Sequence, residues 1–486
     1  MRLAIILMTS TLLTPGLFAQ ISTQTLLFDY SLGASFPLGG LPEQLGAADL
    51  DGDGLDDVYC STNFPPELAI FLNDGTGALA PVQTLSLAEA VFGHDTGDFN
   101  GDGIVDLVIA SVGLFQSRLQ IYPGIGDGTF SAPSADVATS ITLGPIAVGD
   151  LNGDGMLDVV STYSNVSGVA DHGVQIYLGD GTGQLALFDS LATAVPPYEV
   201  FTDDVDLDGA ADLVISTASF GLTLVPGTIE VRMGLGAGAF GPTVFVQENL
   251  FMGPMRLVHL DGDALVDLAV VTQDFTIGFE LRTYLGSASG FQPSQALPIS
   301  FGSGVLAGAD ADADGDLDLY ISQYDFMTGE TGAHVAINDG TGALQSTRPL
   351  GISGNYSAYS PIPIQLAPGG SPELAFGNGA TDTLEIYAEP GVAVEAFIRG
   401  DTNADLAVDI ADVVALLNVL FVPGTSPLEC DQAGDANDDD HLDIADAIAI
   451  LDRLFVPGSA PLPAPYPDCG SDPTLGSVAC DAPPCP

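Results

Sequence analysis

Asp49-Leu50-Asp51-Gly52-Asp53-Gly54-Leu55-Asp56-Asp57 runs straight into the apolar stretch Val58-Tyr59-Cys60. Its spacing (Asp, any, Asp or Asn, any, Asp, Gly, any, any, Asp) recurs along the chain. Intact copies stand at Asp98-Phe99-Asn100-Gly101-Asp102-Gly103-Ile104-Val105-Asp106, at Asp150-Leu151-Asn152-Gly153-Asp154-Gly155-Met156-Leu157-Asp158, at Asp204-Val205-Asp206-Leu207-Asp208-Gly209-Ala210-Ala211-Asp212, and at Asp310-Ala311-Asp312-Ala313-Asp314-Gly315-Asp316-Leu317-Asp318. A damaged copy, His259-Leu260-Asp261-Gly262-Asp263-Ala264-Leu265-Val266-Asp267, lies between the last two. A faint seventh begins near Gln365, where Glu373-Leu374-Ala375 aligns with Asp57-Val58-Tyr59. Successive copies start 49 to 55 residues apart, and a steady period of this size marks a solenoid, a propeller or an array.

Each period has the same interior. An apolar run follows the acidic stretch, as in Leu107-Val108-Ile109-Ala110, and a second follows that, as in Val174-Gln175-Ile176-Tyr177-Leu178. A glycine turn comes next, at Asp74-Gly75-Thr76-Gly77, Asp180-Gly181-Thr182-Gly183 and Asp339-Gly340-Thr341-Gly342, where glycine permits positive φ. A further strand-like run then leads to the next acidic stretch. Four short strands per period without helical periodicity make one blade of a β-propeller. The seventh period has no fourth strand after Leu384-Glu385-Ile386-Tyr387, whereas Thr25-Leu26-Leu27-Phe28-Asp29-Tyr30 reads as an isolated one. The N-terminal strand is therefore expected to complete blade seven and leave no sheet edge open; an unclosed array is the alternative.

The acidic stretches suit a hard cation. Ca2+ takes 6–8 oxygens at flexible geometry, and Gly at position 6 allows a sharp turn. The expected ligands of the first loop are Asp49, Asp51, Asp53, the carbonyl of Leu55, and Asp57, the last through both oxygens. Without a cation, carboxylates packed this closely repel one another. A single copy could be a solvated acidic turn, but five at constant spacing argue for calcium. Zinc is disfavoured because neither His nor Cys accompanies the carboxylates. Weak or absent metal is expected where His259 and Ala264 interrupt the pattern, and none at the seventh copy.

These loops and periods resemble the FG-GAP (or VCBS) repeats of integrin-α-like seven-bladed propellers, over roughly residues 20–395. The resemblance implies that each loop joins the first and second strands of a blade and that its metal is structural. Carried over to the other intact copies, the ligands are Asp98, Asn100, Asp102, Ile104 and Asp106; Asp150, Asn152, Asp154, Met156 and Asp158; Asp204, Asp206, Asp208, Ala210 and Asp212; and Asp310, Asp312, Asp314, Asp316 and Asp318. Partners would bind the loops of a propeller face.

Beyond about residue 395 the periodicity turns helical. Asp401-Thr402-Asn403-Ala404-Asp405-Leu406-Ala407-Val408-Asp409-Ile410-Ala411-Asp412 is a twelve-position calcium loop, continued by Val413-Val414-Ala415-Leu416-Leu417-Asn418-Val419-Leu420-Phe421 with helical apolar spacing. The pattern repeats 34 residues on, from Asp435 through Asp446 into Ala447–Phe455, and both segments end in Val-Pro-Gly, a helix stop. The pair resembles a type I dockerin rather than a generic acidic hairpin. The resemblance implies one ion on Asp401, Asn403, Asp405, the carbonyl of Ala407, Asp409 and Asp412, and another on Asp435, Asn437, Asp439, the carbonyl of His441, Asp443 and Asp446. It also implies a cohesin-like partner, with Ile410-Ala411 and Ile444-Ala445 at recognition positions. Position 6 holds Leu406 and Asp440 instead of Gly, which strains the turn. The Pro- and Cys-rich tail, 461–486, resembles the ends of secreted proteins from planctomycete bacteria.

The remaining features bound the function. The chain has 486 residues, 64 Asp+Glu against 8 Lys+Arg, and a formal charge of −56. That balance excludes nucleic acid and anionic membrane surfaces, whose binding needs Lys and Arg. Met1-Arg2, the apolar Leu3–Leu13 and Leu17-Phe18-Ala19 read as a signal peptide over residues 1–19, although a buried strand is the alternative; no other stretch is long enough for a membrane span. A secreted or cell-surface protein is expected. Cys430, Cys469, Cys480 and Cys485 allow two disulfides in three connectivities, and Cys60 is expected to be a buried thiol.

The segments are therefore a signal peptide (1–19), a mainly β seven-bladed propeller with calcium-binding loops (20–395), a small α-helical dockerin-like domain of paired EF-hand-type loops (396–460) and the tail. No nucleophile elbow, phosphate loop or His-Glu-x-x-His is present, and His94, His172, His259, His334 and His441 are scattered singly. These features favour a non-catalytic module binding an extracellular protein or polysaccharide. The alternative is a polysaccharide-degrading lyase or hydrolase on a propeller scaffold.

Overall fold

The computed structural model describes residues 30–466 apart from 74–78, 115, 165–170, 218–226, 275–277, 289, 300–304, 313, 325–330, 346, 355–360, 367–371, 389–397, 404–405, 423–424, 426–427, 429, 438–441, 457–458, 460 and 464–465. The signal-like segment, residues 25–29, the turn at Asp74–Gly77, the ligand positions Asp405, Asp439 and His441, position 6 at Asp440, and Cys469, Cys480 and Cys485 lie outside the described residues. Contacts divide the chain into two compact units, Met1–Tyr387 and Ala388–Pro486.

The first unit is a seven-bladed β-propeller. Blade one hydrogen-bonds Pro42–Ala48, Asp57–Asn63, Pro66–Asn73 and Leu79–Ser86 in sequence order. Blade two follows with Ala90–Gly97, Asp106–Val112, Ser117–Tyr122 and Ala135–Thr139, and blade three with Thr142–Gly149, Asp158–Ser164, His172–Gly179 and Leu185–Ala192. Blades four and five share one long strand, Val244–Val258. Up to Leu250 it pairs with Gly227–Arg232 of blade four, and from Phe251 it pairs with Asp267–Asp274 of blade five. Blade six runs from Leu306–Ala309 through Arg348–Gly354.

Blade seven holds Ile362–Ile364, Glu373–Asn378 and Thr383–Ala388, and its fourth strand is the N-terminal segment Ser31–Pro37. The first strands of neighbouring blades touch all the way round, including Pro42–Ala48 against Ile362–Ile364, so the ring is closed. The closing strand thus begins where the apolar Thr25–Tyr30 stretch ends. Small residues make Ser31–Pro37 a weak strand in the sequence, but Ala34 and Phe36 pack on the core between blades one and seven, and the Phe36 and Phe71 ring centroids are 5.4 Å apart.

Each second strand is covered on both sides by neighbouring blades, which is why it reads as an unbroken apolar run: Asp57–Asn63, Asp106–Val112 and Asp158–Ser164 are buried at every position but the last. The outermost strands meet solvent. Leu185–Ala192 is buried only at Leu185. Cys60, inside a second strand, is a free and fully buried thiol that burial pushes up to about 12.

In the second unit, α1 (Ile410–Phe421) and α3 (Ile444–Phe455) flank a single turn, α2 (Asp431–Gly434). Repeat-equivalent residues Val413 and Ala447, and Leu416 and Ile450, share one core with Leu428, Ala436 and Leu462. Both helices open with a capping box, Asp409 with Asp412 and Asp443 with Asp446. Cys430 is disulfide-bonded. Among the described residues no helix is long and apolar enough to cross a membrane.

Candidate metal centres

Each acidic stretch joins the first and second strands of its blade, and its side chains organise its own backbone. In blade one, Asp49 Oδ1 accepts the amides of Gly52 (2.7 Å) and Asp53 (3.1 Å), and Oδ2 accepts that of Gly54 (2.9 Å). The Leu55 amide donates to Asp53 Oδ1 at 2.9 Å. Asp98 and Asp150 form the same three bonds in blades two and three. Glycines at positions 4 and 6 take positive φ, as at Gly52 (83°) and Gly54 (89°). Blade four departs at position 4, where Leu207 adopts φ 59°.

The ninth residue does something its sequence position does not announce. Asp57 is fully buried; its Oδ2 accepts the amide of Leu50 and its Oδ1 that of Asn73, both at 2.8 Å. It therefore ties the loop to the end of the third strand. Asp106, Asp158, Asp212 and Asp318 repeat this pair of bonds, and so does Asp267 of the damaged copy, with Leu260 and Gly286. In blade seven Glu373 Oε2 accepts the Leu366 amide at 3.1 Å, the same seven-residue reach. With one lone pair of each oxygen committed to an amide, the ninth carboxylate suits a single-oxygen contact to a cation better than the expected two-oxygen grip. The clue in the sequence was Asp267: it persists in a copy whose positions 1 and 6 are lost, so it serves something besides a metal.

Three loops bring carboxylate oxygens within 4.8 Å of one another: Asp49, Asp51 and Asp53; Asp204, Asp206 and Asp212; and Asp310, Asp312 and Asp318. In loops two and three position 3 is Asn100 or Asn152, whose amide nitrogen faces Asp106 or Asp154. Burial raises the ninth aspartates Asp57, Asp106, Asp158, Asp212, Asp267 and Asp318, against their two amide bonds and with help from neighbouring aspartates; Asp57, Asp158 and Asp318 reach about 6. Among the described residues no ion pair reaches a propeller loop, since Arg118, Arg232 and Arg282 are spent on Glu89 and Asp136, Glu230 and Glu280.

These sites fit a hard divalent ion. Asp310 Oδ1 and Asp312 Oδ1 are buried without a hydrogen-bond partner, and both side chains belong to one acidic triad. A buried acceptor left bare is costly, and a cation would satisfy both. The donors are oxygens throughout. In the damaged copy a ring nitrogen of His259 lies 3.1 Å from the carbonyl of Leu265 at position 7, so the imidazole bridges positions 1 and 7 of the loop.

In the second unit, Asp401 Oδ2 accepts the Leu406 amide at 2.8 Å, and Leu406 takes φ 69°, the strain expected from a non-glycine at position 6. The position-12 carboxylates, Asp412 and Asp446, are fully buried and each accepts two backbone amides, from Asn403 and Asp409 and from Asn437 and Asp443.

The FG-GAP-like repeat family matches residues 49–109 and 98–161, a stretch that holds the first three acidic loops and the strands between them. Residues 49–161 carry FG-GAP-like repeats. No curated protein matches it. Among solved structures, a crystal structure of BBS1N in complex with ARL6DN, soaked with lead, is 12% identical with a TM-score of 0.49, over 75% of this chain and 98% of that one.

Proposed function

We propose that the protein is a secreted, non-catalytic binding or adhesion module, a Ca2+-stiffened propeller joined to a dockerin-like attachment module. The observation that carries this reading is the recurrence of one oxygen-lined loop in five blades, with bare buried oxygens on Asp310 and Asp312. Calcium is the hard cation that tolerates six to eight ligands in flexible loops. Five propeller sites and two in the second unit make seven ions. The metal is structural, because the loops sit between strands and hand their order to the next blade: Gly183 donates to the carbonyl of Phe99 and Gly238 to that of Leu151.

The ligand is an extracellular protein or a polysaccharide, met on a propeller face. The second unit supplies attachment to a cohesin-like partner. Its helices turn Ile410, Val414 and Phe421, and the repeat-equivalent Ile444, Ile448 and Phe455, to solvent at 51–65% exposure, apolar faces suited to being covered. The disulfide at Cys430 supports an oxidising destination.

Native mass spectrometry should count about seven calcium ions per chain, and chelator should lower the melting temperature steeply. A glycan array run beside a turnover assay on acidic polysaccharides tests the binding role. Bond cleavage abolished by a substitution on a propeller face, away from the acidic loops, would refute it.

A further inference from the structure

We propose that Arg399 couples the two acidic loops of the second unit, so that a divalent cation held by one loop raises the affinity of the other. This rests on the reading of those loops as cation sites. Arg399 is the largest fully buried side chain in the described residues. A guanidinium stays charged, and a buried charge is stable only when hydrogen-bonded and compensated. Here Nη1 donates to the backbone carbonyl of Asp435 at 2.6 Å. Asp435 is the first ligand position of loop two, and Asp401, two residues beyond Arg399, is the first of loop one; each is 2% exposed.

The backbone reinforces the link. The Gly400 amide donates to the carbonyl of Ala433 at 2.8 Å, and the Asp401 amide to that of Ile398 at 3.0 Å. Gly400 takes φ 94°, a backbone conformation that a residue with a side chain would strain. The segment leading into loop one is thus pinned to the start of loop two. In the 34-residue repeat Arg399 corresponds to Ala433, so the guanidinium donor of this link has no counterpart in the second copy. Ordering Asp401 around an ion fixes the backbone that carries Arg399, and Arg399 fixes the backbone of Asp435. Linkage makes the effect reciprocal. Arg399 touches no cation in this scheme; it is a positioning residue.

The test is hydrogen exchange by mass spectrometry on the full chain across a calcium titration, following peptides from 401–421 and 435–455 separately. With Arg399 present, the loop-one lesion Asp401→Ala with Asp412→Ala should move the protection midpoint of 435–455 to about tenfold higher calcium, within the usual range of coupling. In an Arg399→Gln background the same lesion should move it less than about twofold. Arg399→Lys, which keeps the charge but loses the planar fork, should give an intermediate shift and serves if Arg399→Gln disturbs the unit in saturating calcium. A loop-two midpoint indifferent to the lesion, or shifted equally without Arg399, overturns the coupling while leaving the cation sites standing. Peptides that ignore calcium altogether overturn the cation reading, and the coupling with it.

Discussion

The amide of Gln365 donates to Asp56 Oδ2 at 2.9 Å, across 309 residues of chain. Asp56 belongs to the acidic loop of blade one, and Gln365 starts the degenerate loop of blade seven. One residue on, Asn73 Nδ2 donates to the carbonyl of Leu366 at 2.9 Å. Blade six makes the same reach to blade five, from Asn338 Nδ2 to the carbonyl of Leu260 at 2.6 Å. The seam between the first and last blades is therefore stitched as an ordinary blade boundary, although the loop on one side has lost nearly all its acidic residues.

Replacing Asn73 by Ala leaves the buried Leu366 carbonyl without this donor. A loss of about 1–3 kcal/mol is expected, the cost of stranding a buried acceptor. Chemical denaturation of Asn73→Ala and Asn338→Ala should give similar losses. Hydrogen exchange in Thr383–Ala388, which carries the closing strand, should rise for Asn73→Ala alone. Equal exchange there in both variants would mean the seam is not held by this bond.

The ninth carboxylates divide structural from metal-dependent stability. Asp267→Ala unpairs the amides of Leu260 and Gly286 in a blade whose loop is not expected to hold metal, so it should cost about 2–6 kcal/mol with or without calcium. Asp49→Ala removes the position-1 carboxylate of the proposed cation site, and on that proposal much of its cost should vanish in chelator. Thermal melts of both variants in calcium and in chelator make the comparison. A calcium-dependent Asp267→Ala defect would assign that loop an ion.

Two leucines occupy left-handed backbone of the kind that favours glycine. Leu207 (φ 59°) is 53% exposed and Leu406 (φ 69°) 49%, so neither surrenders much packing on truncation. Relief of about 1–2 kcal/mol of left-handed strain exceeds the extra chain entropy of glycine by a fraction of a kcal/mol. Leu207→Gly should raise the melting temperature slightly, and Leu406→Gly should tighten calcium binding by the first loop of the second unit a few-fold in isothermal titration. A weaker ion after Leu406→Gly would show that the leucine shapes the loop favourably.

The sequence announced the architecture because each blade repeats one local grammar: acidic loop, doubly covered apolar strand, second strand, glycine turn. Asp180–Gly183 and Asp339–Gly342 are turns with positive-φ glycines as read, and Glu373 does take the place of Asp57. The described closing strand, Ser31–Pro37, is hard to read in the sequence because it is mostly small residues; what makes it a strand is the edge of Thr383–Ala388 and the apolar floor under Phe36, both long-range. The double duty of the ninth carboxylate was hidden for a similar reason. A ligand pattern shows which side chains could converge, but not that Asn73 and Leu50 already hold both oxygens of Asp57.

Acidity gives the last prediction. In the folded chain burial lifts Asp57, Asp158, Asp318 and Asp95 from 3.8 to about 6 and Glu199 from 4.5 to about 8. Between those limits the folded state holds more protons than the unfolded one, so these groups lose stability as pH rises and regain it as pH falls. His94 and His334 act oppositely: burial lowers them from 6.5 to about 4, so they lose stability as pH falls through that window. Five acids outweigh two histidines, and protonation also relieves a formal charge of −56. In chelator the melting temperature should therefore climb from pH 7.5 to pH 5.5. In saturating calcium the trend should reverse, because a bound cation favours the ionised carboxylates that acid removes. Calorimetric scans at four pH values in each condition read both slopes; parallel slopes would mean that these carboxylates never meet a metal.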